Sequence, residues 1–423
     1  MIDRSAVLHR ANHLVDKAFA DAMEHHVDNM ADKLQRLNHA VKSGSGKRIR
    51  KTQEILLKSF SAKLCCVVLS MEKNEQEALT PLALFEIAEV LDPFSDPGEP
   101  VRSYPRIKSI RGDWRPICVF GPKRKTLQTL ASHLLTVKFG SHPLDYMGKG
   151  RGAEIAADRI TQFIDDGIRY FVVADIASCF RSVKQEEIAT RLGLPPAMVR
   201  HCLLIGEDVP VTLPSVLPTD TDPKAFSEAV RQGLPQGARS SNRVISLLLG
   251  PELRSLTLDD RIVLYGDDFA VPAVTRDEAE AFAKTLPELM KAHPAGPFRL
   301  KCCTLRNASD GFNFLKYHFR LDHLTKRTRL RPSSISYHRF AENVRSIIAE
   351  NPYRDIYKAV MIYRQRWLGS FRRYKANESA LGLLWQSAIA DLPSSLYIKW
   401  QRGCEHYRSA HIWPPGIKFA WME

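Results

Sequence analysis

The two ends of the chain carry the polar and apolar spacing of helices. Residues 5–41 contain neither proline nor glycine, and residues 1 to about 95 are predicted to be helical with an interruption at Gly44-Ser45-Gly46. Apolar residues recur at helical intervals near the other end, namely at Ile356, Val360, Tyr363, Trp367 and Phe371. The last hundred residues are therefore also predicted to be helical.

The centre of the chain has the shorter apolar runs of strands. A basic, strand-like stretch covers about residues 101–125, and the run Tyr170–Ala174 leads directly into Asp175. Thr275-Arg276-Asp277-Glu278 is a capping box, which predicts a helix that runs to about Lys291. Because strands and helices are mixed here and helices flank the region, the predicted fold class is α+β.

Composition adds a strong positive charge. Lysine and arginine number 61 against 47 aspartates and glutamates, a formal net charge of +14 in 423 residues. Such an excess favours a polyanionic partner. No apolar run approaches the length of a membrane span, and Met1-Ile2-Asp3-Arg4 lacks the core of a signal peptide. The eight cysteines show no Cys-x-x-Cys spacing, so we expect reduced thiols, no zinc site, a cytoplasmic location and no membrane contact.

Candidate chemistry begins with two adjacent carboxylates in Tyr265-Gly266-Asp267-Asp268. A tight turn with a strand-like run on each side is typical of a hairpin tip. Carboxylates suit Mg²⁺, and phosphoryl transfer uses two such ions clamped near the reacting phosphate. Asp175 is the candidate for a further carboxylate, which sheet pairing would have to bring close. Taken alone, an ordinary hairpin turn and an aspartate that caps the end of a strand explain both features equally well.

The segment Gly233-Leu234-Pro235-Gln236-Gly237 lies between these two carboxylate elements. Two glycines around a proline let a backbone pass close to another molecule before a helix begins, and Gln236 adds an amide donor and acceptor. A plain surface turn is the alternative for this segment.

Together these segments resemble the polymerase core of bacterial reverse transcriptases, related to group II intron and retron enzymes. Asp175 to Phe180 is similar to the first palm motif of that family, an aspartate with an aromatic residue five positions later. Leu234-Pro235-Gln236-Gly237 resembles the second motif and Tyr265-Gly266-Asp267-Asp268 the third. Phe314-Leu315-Lys316-Tyr317 resembles the primer-grip motif, although the family usually has glycine where this chain has Lys316.

The matches continue upstream in the order that the family shows. Arg115-Pro116, Pro122-Lys123-Arg124 and Gln128 resemble the fingers segment that meets the incoming triphosphate. His142-Pro143 through Gly152 resembles the Gly-rich stretch that follows it. The resemblance covers about residues 110–320 and leaves both ends of the chain outside.

The resemblance implies a right-hand polymerase with fingers, a ferredoxin-like palm and a helical thumb. The expected division is a helical N-terminal region at 1–100, fingers with the start of the palm at 101–174, palm at 175–320, and a helical thumb or C-terminal region at 321–423. The implied activity is RNA-directed DNA synthesis, in which a primer is extended with dNTPs on an RNA template. Two Mg²⁺ ions, which Mn²⁺ can replace, are the implied cofactors.

The resemblance also assigns roles to individual residues. Catalysis falls to Asp175, Asp267 and Asp268, and metal binding to the same three with the carbonyl of Ile176. The implied nucleotide-binding residues are Lys123, Arg124, Phe180, Gln236, Gly237 and Lys301, of which Lys301 is a candidate proton donor whose alternative is a solvated lysine. The implied primer and template contacts include Tyr265, Phe314 and Leu315.

Phe180 bears on the choice of sugar. In the family, the aromatic residue at this position stands where a ribose 2′-hydroxyl would go, so deoxynucleotides are preferred. RNA-dependent RNA polymerases often share Gly-Asp-Asp but typically carry a second aspartate in the first motif. Phe180 therefore favours DNA synthesis despite Gly266-Asp267-Asp268.

Basic segments follow the palm motifs. Lys326–Arg331 is rich in arginine, and further on cations alternate with aromatic residues around Arg366, Arg372 and Arg373. We expect these three arginines to track phosphates of primer and template. The alternative is that Trp367 and Phe371 are core residues and the arginines a solvated helix face, and helical spacing favours this for the aromatic residues.

Departures from the family pattern narrow the kind of reverse transcriptase that we expect. Ser240-Ser241-Asn242 stands where the family commonly has Ser-Pro, and neither the retron Val-Thr-Gly signature nor a nuclease module is found. By analogy, we expect a stand-alone, host-encoded enzyme of antiviral defence that acts with a dedicated noncoding RNA. Two alternatives remain open: untemplated or protein-primed DNA synthesis, and a maturase-like RNA-binding protein. The sequence makes no prediction of oligomeric state.

Overall fold

The structure is a computed structural model that describes residues 2–71, 80–107, 114–140, 142–148, 150–215, 217, 221–257, 260–371 and 389–410. The chain divides into two compact units. The first unit comprises Met1–Gly148, Ala174–Phe269 and Phe282–Cys303, and the second comprises Lys149–Val173, Ala270–Ala281 and Thr304–Glu423.

Helices build the amino-terminal part of the first unit, as the sequence predicts. They are α1 Arg4–Leu14, α2 Lys17–Lys42, α3 Gly46–Lys58, α4 Phe60–Ser70 and α5 Pro81–Val90. Asp16 and Ser45 cap α2 and α3 by accepting backbone N–H groups, which explains why helices begin at these polar residues. Helix α4 is buried along most of its length, including Leu64, Cys65 and Val68, because its sequence is apolar on every side.

The middle of the chain alternates strands and helices. In chain order these are β1 Val101–Ile107, β2 Trp114–Val119, α6 Pro122–Phe139, α7 Ala153–Asp165, β3 Tyr170–Ile176, α8 Gln185–Leu192, α9 Pro196–Met198, β4 Val211–Thr212, α10 Pro223–Arg231, α11 Ser241–Thr257, β5 Val263–Tyr265, β6 Asp268–Ala273 and α12 Arg276–Lys291. A short 3₁₀ helix covers Cys179–Ser182. The predicted strand-like stretch to residue 125 is wrong at its end, since Pro122 occupies the first turn of α6, where a missing N–H is tolerated.

The remaining described elements are four strands followed by helices. They are β7 Leu300–Asn307, β8 Phe312–Phe314, β9 Tyr317–Leu321, β10 Thr328–Pro332, α13 Ser334–Glu350, α14 Tyr353–Gly369 and α15 Ser394–Ala410. The expectation that the last hundred residues are helical is therefore wrong for β10. This strand alternates exposed Arg329 and Arg331 with less exposed neighbours, which is a period of two.

Three small sheets hold the strands: β2-β1-β4, β5-β6-β3-β7 and β10-β9-β8. In the first, β1 and β2 are antiparallel with Tyr104 opposite Ile117, and β1 and β4 are parallel. The capping box is present, because the Glu278 N–H donates to Thr275 Oγ1 (3.1 Å) at the start of α12. The mixture of helices and sheets confirms the α+β class with a helical N-terminal region.

Each unit has its own core. In the first unit, Val101, Cys118 and Phe226 pack in one apolar cluster. In the second, Phe340, Ile356 and Trp400 pack in another, joining α13, α14 and α15. All eight cysteines are free thiols, and five of them are buried. Among the helices of the described residues, none combines the length and the apolar character needed to cross a membrane.

Candidate active site

The turn between β5 and β6 presents two carboxylates at the tip of a hairpin. Tyr265 ends β5, Asp268 begins β6, and Gly266 and Asp267 form the turn between them. Gly266 has φ +67°, which is the conformation that a II′ hairpin turn requires at its first central position. The flanking residues Leu264 and Phe269 are fully buried, so the apolar core anchors the hairpin while the carboxylates stay partly accessible.

Strand β3 brings Asp175 to the same place. The N–H of Ile176, the next residue, donates to the Asp267 carbonyl (3.1 Å), which fixes the end of β3 beside the turn. On the other side of β3, Lys301 of β7 places its Nζ 3.4 Å from Asp175 Oδ2, with the lysine side chain 72% exposed. Sheet pairing thus joins residues that are about ninety positions apart in the sequence.

The pKa shifts at this site follow from the three carboxylates of Asp175, Asp267 and Asp268, which are close together and partly buried. Burial, and then the Asp267 and Asp175 carboxylates, raise the pKa of the Asp268 carboxyl to about 7, and Lys301 opposes the rise. Burial, and then Asp268, also raise the pKa of the Tyr265 hydroxyl. Negative charge is therefore crowded here, and a cation would relieve it.

The donor set at the turn bears on whether a divalent metal ion fits. Within the described residues, no group of three or more His, Cys, Asp or Glu side chains could hold a metal ion. Mg²⁺ needs fewer, because it is commonly bound through one or two carboxylates together with substrate phosphates and water. Asp175 and Asp267, on neighbouring elements of one sheet, with the carbonyl of Ile176 available, are such a set. The crowded charge at Asp268 agrees with this, so the residues fit Mg²⁺ in company with substrate phosphates.

Two cysteines border the carboxylates, and the sequence alone does not point to either. Cys179 is buried, and burial followed by Asp267 and Asp175 raises its thiol pKa well above the ordinary value. Cys302 is exposed as a residue, but partial burial of its thiol, followed by the charge of Asp175, raises the pKa of that thiol as well. Both thiols therefore stay protonated near neutral pH and are weak nucleophiles.

Phe180 and the Gly233–Gly237 segment are brought together. The N–H of Leu234 donates to the Phe180 carbonyl (2.8 Å), so the segment runs directly beside the short helix that carries Phe180. The Phe180 ring is half-buried. These two predicted motifs thus share one local structure.

Gly237 is needed for a close contact with β2. It has φ +108°, and a Cβ at this position would lie 2.3 Å from the Cys118 carbonyl oxygen. The neighbouring Gln236 carbonyl accepts the Cys118 N–H (2.7 Å). Gln236 itself is partly exposed, so its amide remains accessible while its backbone is held on the strand.

Gln128 and Arg124, from the segment that resembles the fingers motif, are occupied by other residues of the protein. Gln128 is buried and its Oε1 accepts the Arg239 N–H (3.2 Å), two residues after Gly237. Arg124 is 2% exposed, with its guanidinium 2.7 Å from Asp96 and its Nε donating to the Glu99 carbonyl (2.9 Å). The structure therefore places Arg124 in a structural ion pair, whereas Lys123 is partly exposed and accessible.

A buried ion pair supports the β5–β6 hairpin from the opposite edge. Residues 144–146 pair with both sides of Leu264, whose N–H donates to Leu144 and whose carbonyl accepts from Tyr146, each at 2.9 Å. Asp145, 2% exposed, lies 3.2 Å from Arg243 of α11 and holds this segment. This segment belongs to the stretch that resembles the Gly-rich motif. The feature of the sequence that indicates a buried ion pair is Asp145, a charged residue among apolar neighbours.

The predicted primer-grip residues lie in the second unit. Phe314 ends β8 and Tyr317 begins β9, and these two residues are paired across the hairpin. Leu315 and Lys316 form the two-residue turn with φ +48° and +73°. Both angles belong to the I′ hairpin turn, which explains why glycine is favoured at the position of Lys316.

The basic segment around Arg366 to Arg373 contains both core aromatic residues and an exposed arginine. Trp367 packs against the core of the second unit, and its ring lies 4.7 Å from that of the buried Phe371 at an angle of 50°, so these rings are core residues. Arg366 is exposed on α14. Arg372 and Arg373 lie outside the described residues.

A comparison with protein families agrees with the motifs. A family model described as reverse transcriptase (RNA-dependent DNA polymerase) matches residues 105–319, just over half of the chain. No curated protein sequence matches. Among solved structures, telomerase from Candida tropicalis, in complex with a fragment of telomeric RNA, is 13% identical, with 71% of this chain and 58% of the telomerase chain covered and a TM-score of 0.36. The chain thus spans less than two thirds of that structure.

Proposed function

The chain belongs to the reverse transcriptase family, and on that premise we propose that it is an RNA-directed DNA polymerase and that Asp175, Asp267 and Asp268 are the catalytic carboxylates with which it extends a primer. The observation that carries the proposal is the convergence of β3 and the β5–β6 turn through the hydrogen bond from Ile176 to Asp267. Reverse transcriptases use RNA templates, dNTPs and divalent metal ions, and the positive charge of the chain suits the first two.

Asp175 and Asp267, with the carbonyl of Ile176, are the proposed metal ligands, and Asp268 lies beside them. When bound, two Mg²⁺ ions, or Mn²⁺ in their place, supply a lowered pKa at the primer 3′-hydroxyl and charge neutralisation on the pyrophosphate leaving group. Lys301, which is exposed and close to Asp175, is the proposed donor of a proton to that leaving group.

The other proposed contacts select and hold the nucleotide. The half-buried Phe180 ring excludes a ribose 2′-hydroxyl. Gln236 and Gly237 contact the nucleotide from the neighbouring segment, which is held by hydrogen bonds to Phe180 and to β2. Lys123 binds the triphosphate, and Arg124 is left out of this role because its charge is already paired with Asp96.

At the level of domains, we propose fingers at about 101–174, palm at 175–320 and thumb at 321–423, with residues 1–100 as a helical addition. Tyr265, Phe314, Leu315 and Arg366 are the proposed primer and template contacts. A dedicated noncoding RNA as template, a role in antiviral defence and action in the cytoplasm complete the proposal, on the ground of the departures from retron and intron enzymes noted above.

The test is incorporation of labelled dNTP and rNTP with Mg²⁺ on a primed RNA template, comparing the wild type with the Asp267→Ala/Asp268→Ala variant. We expect incorporation of dNTP by the wild type alone. Equal incorporation by both proteins would overturn the catalytic assignment. Label that stays with the protein after denaturation and nuclease digestion would instead indicate protein-primed synthesis.

A further inference from the structure

One face of the β8-β9-β10 sheet carries cations on neighbouring strands. In the antiparallel register of β9 and β10, Arg320 lies directly opposite Arg329, and His318 lies directly opposite Arg331. Residues opposite each other in an antiparallel pair, and residues two apart on a strand, share one face of the sheet. These four residues, His318, Arg320, Arg329 and Arg331, form what we call the β9–β10 face.

The opposite side of this sheet is core. Tyr317, Phe319 and Leu321 alternate with His318 and Arg320 along β9 and are each less than 5% exposed. The three arginines of the β9–β10 face are exposed, and His318 is partly exposed. The apolar side anchors the sheet within the second unit, so the cations are held at the surface on a rigid element.

The charges of the β9–β10 face are poorly compensated. Arg329 has an acidic partner, Asp322, at 2.6 Å. In the part of the chain that the structure describes, neither Arg320 nor Arg331 has one. Opposite residues on paired strands are separated by roughly 5 Å, and residues two apart on a strand by roughly 7 Å. Like charges at these separations destabilise a sheet, so the arrangement favours an anionic ligand.

The state of His318 agrees with this excess of positive charge. Burial, and then Arg331 and Arg320, lower the pKa of its imidazole. Its ring is held by Asn313 of β8, with Nδ1 2.9 Å from Oδ1. A depression of about 360 Å³ adjoins this face, and its lining includes all four residues of the face together with Asp322.

We propose that the β9–β10 face binds the sugar-phosphate backbone of RNA. The inference rests on the proposed function, because RNA is the polyanion that an RNA-directed polymerase must hold. Guanidinium groups in rows suit phosphates, each of which accepts two parallel N–H bonds from one arginine. This surface carries none of the three catalytic carboxylates, so it adds a second contact with RNA to that of the polymerase site.

The test compares RNA affinity across salt concentrations. The variant is Arg320→Gln/Arg331→Gln in the full-length protein, and the probe is a fluorescently labelled RNA hairpin followed by anisotropy between 50 and 200 mM KCl. Each phosphate contact contributes about 0.9 to the slope of log K against log salt. Loss of two contacts should lower the slope by about 1.8, so over this fourfold range the wild type should lose roughly 12-fold more affinity than the variant.

Two controls keep the result interpretable. Arg36→Gln/Arg276→Gln removes the same charge, but each of these exposed arginines is already 2.7–2.8 Å from an acidic residue one helical turn away. This control should bind RNA as the wild type does. Arg320→Lys/Arg331→Lys keeps the charge and should retain most of the salt slope, which separates loss of charge from a folding defect.

Two results would overturn the inference. They are a wild-type affinity and slope in Arg320→Gln/Arg331→Gln, and an equal loss in the Arg36→Gln/Arg276→Gln control. The Asp267→Ala/Asp268→Ala variant should lose incorporation and keep the RNA affinity and its slope. Failure of the catalytic proposal is therefore distinguishable from failure of the RNA-binding proposal.

Discussion

Replacing Lys316 with glycine should stabilise the protein. Lys316 has φ +73°, and its neighbour Leu315 has φ +48°, so two consecutive non-glycine residues adopt the left-handed backbone conformation at one turn. The turn cannot relax easily, because the Lys316 carbonyl accepts hydrogen bonds from the Ser333 N–H and the Ser336 hydroxyl, both at 2.8 Å. Lys316 itself is exposed, so its side chain adds little packing that glycine would lose.

The size of the effect follows from two opposing contributions. A non-glycine residue in the left-handed region costs about 1–2 kcal/mol. Glycine has more freedom in the unfolded chain, which opposes the gain by roughly 0.5–1 kcal/mol. The expected net stabilisation is about 0.7 kcal/mol, which, with a urea m value of roughly 2 kcal/mol/M, raises the unfolding midpoint by about 0.35 M.

The assay is urea denaturation followed by tryptophan fluorescence, to which Trp367 and Trp400 in the core of the second unit contribute. Lys316→Ala removes the same side chain but keeps a Cβ, so it should leave the midpoint nearly unchanged. Lys358→Gly, at an exposed position inside α14 of the same unit, should instead destabilise by about 1 kcal/mol. A Lys316→Gly midpoint at or below that of the wild type would refute the inference that the backbone at this turn is strained.

Three further predictions concern the first unit. Gly237→Ala should abolish primer extension and lower stability, because its Cβ would meet the Cys118 carbonyl at 2.3 Å; normal activity and melting temperature would contradict the close contact. Phe180→Ala should increase rNTP incorporation relative to dNTP, and unchanged discrimination would count against Phe180 as the sugar gate. Arg243→Ala should lower the free energy of unfolding by about 3 kcal/mol, because it leaves Asp145 buried without the arginine, and Asp145→Asn/Arg243→Met should recover much of the loss in the same urea assay.

The sequence predicted what depends on local pattern. The capping box at Thr275, the apolar run before Asp175 and the turn at Gly266 each contain their own signal within a few residues, and the structure has each element. The helical interpretation of β10 is wrong. A basic run is typical of a solvated helix face, whereas Arg329 and Arg331 on either side of Leu330 have the period of two of a strand, and the pairing with β9 is not visible in the sequence.

Contacts between residues that are distant in the sequence could not be predicted from local patterns. The ion pair of Arg124 with Asp96 joins residues that are neighbours only after folding, and a cation beside a family motif looked like a phosphate ligand. The buried pair of Asp145 and Arg243 was missed for the same reason. Lys316 is an intermediate example, since its departure from glycine was visible in the sequence but its φ of +73° was not.

The most direct test of the central claim is the rate of primer extension by the Asp175→Asn variant on an RNA template with Mg²⁺. This substitution keeps the shape of the side chain and removes its charge at the end of β3, and Asp310→Asn, at an exposed turn, is the matched control. Loss of a metal-binding carboxylate removes several kcal/mol of transition-state stabilisation, so the extension rate should fall at least about a hundredfold while the control keeps the wild-type rate. Extension by Asp175→Asn at the wild-type rate would contradict the assignment of the carboxylate cluster as the polymerase site.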